Sequence, residues 1–414
     1  MNTIIKLVLS AVIIGFVAIG SYRLGLNNRQ IEPEKPIKEK VIGYIDDKRA
    51  NNENIDITKK FGTNFSKMNF EGMNLSKVIL TNADLSYANL RNANLEGTDL
   101  AGANFKYANM SRANLRGAMI NNTDFSYTNL AKADLDGVQL TDSNLSYANL
   151  KNANLKESVA TNIDFSYANL ESANLYKADF TGSRLEGADL SHTTAQYAIF
   201  KDAVMLSADF DYADLGNSNL QNANLEGAFM YRTRMDKAKA EGAIFNQANM
   251  QHSDLQNADL TGASIIEANL TDANLWEANL ENVNATKSIF TSAQLWDAKL
   301  SGANLDSASF YGADLDGAIM RNANAQDADF KNAILDKTDL SDANFQDSNL
   351  KGSSIKGAVL KGINLQDANL KAAQIEKSDF SGANLTGANF MDTIINDSNF
   401  DGVITEGIIG FEID

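Results

Sequence analysis

Cysteine is absent from the 414 residues; proline, histidine and tryptophan occur twice each; and no Gly-rich phosphate loop or nucleophile elbow is present. Without a thiol there is no disulfide, thiolate metal site or cysteine nucleophile, and the redox compartment stays open. Both prolines, Pro33 and Pro36, precede the body of the chain. Positive charge is also short, with 36 Lys and Arg against 53 Asp and Glu, a net −17. The deficit is uneven: residues 1–60 are net +3 and the remainder is net −20. Such a body disfavours direct nucleic-acid binding, yet it can attract a basic groove.

What fills the chain is a beat of five. From Phe61 to Phe400 every fifth residue, counted from Phe65, is a centre: of 68 centres 63 are Leu, Phe, Ile or Met, and the rest are Ala160, Ala195, Ala240, Ala285 and Ala325. A small residue usually sits two positions before each centre, Asn or Asp most often stands just before it, and Gly often follows two residues after. A period of five fits neither a helix of 3.6 residues per turn nor a strand of two, so the pattern is a repeat architecture.

A second period is superimposed. Tyr87, Tyr107, Tyr127, Tyr147 and Tyr167 are spaced by 20 residues; so are Trp276 and Trp296, Lys331, Lys351 and Lys371, and the asparagines from Asn284 to Asn384. Columns of this kind arise if four five-residue units complete one turn and bring each residue above its equivalent. The spacing predicts an all-β, four-sided solenoid, or β-helix, with 17 coils over residues 61–400. At the usual strand spacing such a rod is roughly 80 Å long. The Ala centres are expected thin spots in its core, with Val283 offsetting Ala285.

The unit A(N/D)LXX, running here as ANLRNANLEGTDLAGANF, resembles the pentapeptide repeat family over 340 of the 414 residues without an insertion. The resemblance implies a right-handed quadrilateral β-helix with four repeats per coil. For function it implies more than one role, since members include quinolone-resistance proteins that look like DNA and protect gyrase, and secreted bacterial effectors. The chain departs from the gyrase-protecting pattern, for it has no loop-bearing interruption and begins with an apolar segment.

That segment, LVLSAVIIGFVAIG at 7–20, extends from Ile4 to Tyr22 if Lys6 is tolerated. Residues 1–22 are expected to be a transmembrane helix anchoring the chain through residues 4–22, or a signal peptide cleaved near Ser21. The corresponding location is single-pass in a bacterial inner membrane, with the side of the repeat domain open, or export after cleavage. Residues 23–40 read as a charged, Pro-containing linker and 41–60 as an N-terminal cap. Residues 401–414, where the register is expected to end, read as a C-terminal cap or as a tail joining two copies end to end.

Enzymatic chemistry needs convergent groups. His192 and His252 stand three coils apart, about 14 Å, too far to share a metal; no catalytic residue, cofactor or metal is expected. The candidate partner-binding residues are Tyr87, Tyr107, Tyr127, Tyr147, Tyr167, Trp276 and Trp296, with a self-stacking ladder as the other reading of the column. The Asn column reads as turn hydrogen bonding and the Lys column as a solvated face. Arg232, Arg234, Lys237 and Lys239 form a basic patch that suits acidic lipid or protein. The expected function is a non-catalytic, membrane-tethered rigid scaffold presenting an acidic rod surface to a protein partner. The alternative is a DNA-mimicking protein that binds a DNA-handling enzyme such as gyrase.

Overall fold

The structure is a computed structural model and describes residues 35–410. One hydrogen-bond pattern builds nearly all of it. The N–H of centre Phe65 donates to the Asp84 carbonyl in the coil above at 2.8 Å, and the Asp84 N–H donates back to the Thr63 carbonyl at 2.7 Å. The same pair recurs along the stack as parallel bridges between residues 20 apart, from Asn64 with Asp84 to Asn389 with Ile409. The chain is therefore a β-helix whose four short sides are each extended for only two or three residues. The centre and the small residue two positions before it face inward and are buried, and the residue between them faces out.

Each corner is a type II turn. Met68 N–H donates to the Phe65 carbonyl at 3.2 Å, and the third turn residue, Lys67, has φ +61°. Positive φ recurs at every fifth residue from Lys67 to Gly407. Non-glycine residues adopt it at a cost, and here the corner N–H groups offset that cost by bonding the coil above, as Lys67 does to the Ser86 carbonyl at 2.9 Å. At a few corners, among them two in residues 120–163, a hydroxyl from the next coil stands in for the turn bond. Thr123 N–H donates to Ser143 Oγ at 3.2 Å and Ile163 N–H to Ser183 Oγ at 3.1 Å, and each serine in turn donates to the carbonyl that the turn would have used.

The alanine centres are not isolated thin spots. All five are fully buried, and each is followed at the next centre by phenylalanine: Phe165, Phe200, Phe245, Phe290 and Phe330. An Ala–Phe pair fills about the volume of the Leu–Leu pair found elsewhere, which is the exchange that cores tolerate best. Beside Ala160, Phe165 meets Phe180 of the coil above edge to face at 5.3 Å. Beside Ala285 and Ala325, Phe290, Phe310 and Phe330 stack at 4.6 and 4.7 Å. Val283 is thus not needed as the offset for Ala285.

The two ends differ from expectation. A helix, Lys35–Ala50, begins inside the stretch read as an extended linker. Pro36 suits its first turn, where no N–H bond is required. Val41 and Ile45 are buried, Tyr44 meets Phe61 edge to face at 5.6 Å, and Arg49 Nη2 donates to the Asn74 and Ser76 carbonyls at 3.1 and 3.0 Å, so the helix lies on the first coils. At the other end the register does not stop at Phe400. Bridges of Asn384 with Ile404 and of Asn389 with Ile409 carry it to the last described residues.

The expected single-pass membrane location is corrected here. Among the described residues no helix is long and apolar enough to cross a membrane. The hydrophobic helix expected over 1–22, the segment 4–22 within it, linker residues 23–34 and tail residues 411–414 lie outside the described residues.

The core account makes an additivity prediction at Ala240 and Phe245. Ala240→Leu overpacks and Phe245→Leu leaves space, each destabilising by about 1–3 kcal/mol. The double variant should recover at least about 1 kcal/mol of their sum in a denaturation cycle. Additive losses would show that the two positions do not share volume.

Candidate functional site

The tyrosine column lies along one corner. All five tyrosines occupy the positive-φ turn position, with φ between +58° and +63°, and remain 44–56% exposed. Consecutive rings stack with centroids 4.9–5.1 Å apart and planes within 26°. The spacing follows the coil rise, so the ring faces are turned towards one another. What the corner presents outward is a row of ring edges and phenol hydroxyls. Lys106 Nζ sits 5.6 Å from the rings of both Tyr107 and Tyr127. Two residues beyond each tyrosine runs a parallel asparagine column, half-exposed, in which Asn129 donates to Asn109 and Asn149 to Asn129 at 3.3 Å.

The ladder has a built upper end. The ring of Tyr167 lies over Gly187, where a Cβ would come within 2.7 Å of it. Glu186 beside that ring raises the Tyr167 phenol pKa, chiefly by charge repulsion of the phenolate. The other sequence candidates behave differently. Trp276 and Trp296 are 39% and 43% exposed, and among the described residues their rings do not stack on each other. Trp296 borders an open hollow of about 340 Å³ with Asp314, Asp316, Ile334, Asp336 and Lys337.

Several features escaped the sequence reading, although the 20-residue spacing held their signal. His192 stacks on Tyr212 at 5.1 Å, and His252 meets Tyr231 edge to face at 5.3 Å, so both histidines belong to a second aromatic column. Among the described residues no His, Cys, Asp and Glu group of three or more is placed to hold a metal ion. The basic patch is partly neutralised: Arg234 pairs with Asp236 at 2.6 Å and Asp214 at 3.4 Å, and Arg232 lies over Tyr231 at 5.4 Å. Opposite charges 20 residues apart pair directly between coils, as Arg91 does with Glu71 at 3.8 Å, Lys151 with Glu171 at 2.5 Å, and Arg116 with Asp136. The asparagines from Asn284 to Asn384 form a continuous ladder, each Nδ2 donating to the Oδ1 below at 2.9–3.3 Å. They also accept turn N–H groups, such as Gln346 N–H on Asn344 at 3.3 Å.

Acidity is confined to part of the rod. Residues 61–180, which hold the tyrosine corner, carry ten Lys and Arg against twelve Asp and Glu; residues 181–410 carry 16 against 32. The tyrosines therefore stand on a nearly neutral section and most of the negative field comes from the coils above it.

A family model described as Pentapeptide repeats matches residues 61–265 in overlapping segments and 363–402, and one described as Pentapeptide repeat region matches 283–360. The chain belongs to the pentapeptide repeat family. Among solved pentapeptide repeat structures it is similar to HetL, involved in heterocyst differentiation regulation in the cyanobacterium Nostoc sp. strain PCC 7120, at 24% identity. That match covers 57% of this chain and 90% of HetL with a TM-score of 0.22. Rfr23 from the cyanobacterium Cyanothece 51142 is 23% identical over 32% of this chain and 88% of its own, with a TM-score of 0.17. QnrB1, a plasmid-mediated fluoroquinolone resistance protein, is 16% identical over 57% of this chain and 89% of its own, with a TM-score of 0.18. No curated protein sequence matches the chain.

Gly187 offers a direct test of the tyrosine ladder. Gly187→Ala places a side chain at φ +61° and against the Tyr167 ring. The expected loss is about 1 kcal/mol or more of stability, together with a change in the near-ultraviolet circular dichroism of the tyrosines. An unchanged tyrosine signal would mean that the ring does not rest there.

Proposed function

We propose that the protein is a non-catalytic, rigid protein-interaction scaffold whose docking strip is the corner from Tyr87 to Tyr167. The observation that carries this reading is the exposed, stacked tyrosine ladder beside an asparagine ladder on the near-neutral section. Tyrosine supplies large contact area at low conformational cost, and asparagine supplies adaptable hydrogen bonding; together they are typical of surfaces that bind folded proteins. Stacking fixes the rings before a partner arrives, which lowers the ordering cost of association. The parallel coils hold the hydroxyls in a line that a flexible surface would not keep. Trp276 and Trp296 are secondary candidates, as separate exposed anchors. Residues 35–61 serve in this reading as the cap that closes the first coil.

The charge distribution motivates a second reading. The twofold acid excess of residues 181–410 suits a basic groove, as a DNA-mimicking protein bound to a DNA-handling enzyme such as gyrase requires. Salt-sensitive binding to purified gyrase that duplex DNA competes away supports this reading, and no binding at low salt rejects it.

The primary reading is tested with Tyr107→Ser, Tyr127→Ser and Tyr147→Ser combined. Serine already occupies this turn position at Ser172, Ser207, Ser292 and Ser307, so the fold is expected to survive. A partner captured by the wild-type chain, purified and titrated directly, should lose about tenfold or more in affinity for the triple variant. Unchanged binding to a folded variant would reject the strip.

A further inference from the structure

Residues 321–380 carry two surface columns of three like charges each. At several other places the 20-residue spacing sets opposite charges above one another, as with Glu71 and Arg91 or Glu171 and Lys151. In these two columns it stacks like on like. Asp327, Asp347 and Asp367 form one exposed column at a corner, and Lys331, Lys351 and Lys371 form another at the next corner. Neighbours within each column are about 5 Å apart at the backbone, so each column is locally repulsive. Three extended residues, such as 328–330, separate the columns by roughly 10 Å, beyond the reach of a direct ion pair. Among the described residues no ion pair joins the three aspartates to any lysine or arginine; Asp347 and Asp367 accept only from Gln346 and Gln366, at 3.1 Å. Lys331 lies over Tyr311 at 5.6 Å and Lys371 reaches Asp392 at 3.6 Å.

We propose that this face, between the Asp and Lys columns, docks onto the same face of a second copy with the two rods side by side and parallel. A two-fold axis running along the rods between the two faces exchanges left and right and preserves height. It sets the Asp column of each copy against the Lys column of the other, coil for coil. A two-fold axis across the rods would set Asp against Asp and Lys against Lys, so antiparallel pairing is excluded by repulsion. Midway between the columns Asn349 and Asn369 are neutral and continue a side-chain ladder up from Asp329 at 2.8 and 3.2 Å, so the mid-face line carries a single carboxylate, at its lower end. The contact is isologous and closed, so it yields a dimer and not a filament. Net charge opposes it at long range, but beyond about 8 Å that repulsion is screened at physiological salt, while facing pairs are closer than that.

The absence of cysteine makes the test direct. Asn349 lies mid-face, close to the proposed axis, so Asn349→Cys in the full chain should cross-link to its own copy under mild oxidation at physiological salt. Combining it with Asp327→Lys, Asp347→Lys and Asp367→Lys should remove the cross-link and raise the dimer Kd about tenfold or more. Lys331→Asp, Lys351→Asp and Lys371→Asp should do the same. Lysine already stands at this positive-φ turn position at Lys67, Lys77 and Lys132, so the reversed corners should fold. Mixing the two reversed chains sets an all-positive face against an all-negative one and should restore the cross-link between them. No cross-link in the single-cysteine chain, or one that persists through either reversal, overturns the proposal. The band lies eight coils from Tyr167, so these variants leave the tyrosine strip intact and the two readings fail separately.

Discussion

Each coil holds the next through the same few backbone atoms: a centre N–H to the carbonyl 19 residues on, and a return bond from the following coil to the carbonyl 21 residues back. Because the bonding is parallel and in register, residue i must lie beneath residue i+20. Everything distinctive about the protein follows from that constraint. Leucines and phenylalanines stack into a continuous interior, asparagines bond to asparagines, and tyrosine rings lie face to face at the coil spacing. Side chains of one kind become lines, and a line has chemistry that its members lack singly.

The same constraint explains why the corners accept residues that ordinary turns reject. A positive φ usually calls for glycine, yet tyrosine, lysine and aspartate occupy it repeatedly. The inter-coil bond from the corner N–H stabilises the conformation whatever the side chain, so the corner is free to carry surface chemistry. Where a long side chain folds over the corner above, glycine returns for steric reasons. A Cβ at Gly102 would meet Asn82 Oδ1 at 2.4 Å, and one at Gly317 would meet Asp297 Oδ1 at 2.3 Å.

Much of this was legible in the sequence because both periods, five and 20, are dictated by backbone geometry and are written in inward residues with little freedom. The tyrosine and asparagine columns, which face outward, were legible from their own 20-residue spacing. The Ala–Phe pairing is not visible at any single centre, since compensation is a property of adjacent layers. The helix Lys35–Ala50 was hidden by mixed charge and by Pro36, which signals a loop when its place in a first turn is not seen. The charged band is hidden for a subtler reason: the Lys column alone is a solvated face, and it acquires meaning only beside the Asp column one corner away. Trp276 and Trp296 show the converse, because 20-residue spacing places two rings on one column but does not make them stack.

The central claim is that one coil takes 20 residues and a constant rise from end to end of the repeats. Spin labels at Lys132 and Arg232, five coils apart, and at Lys132 and Asn332, ten coils apart, measure it in solution. The account requires narrow distance distributions near ~24 Å and ~48 Å, in a ratio of about two, at a rise of about 4.8 Å per coil. Broad distributions, or distances that fail to double, would contradict it.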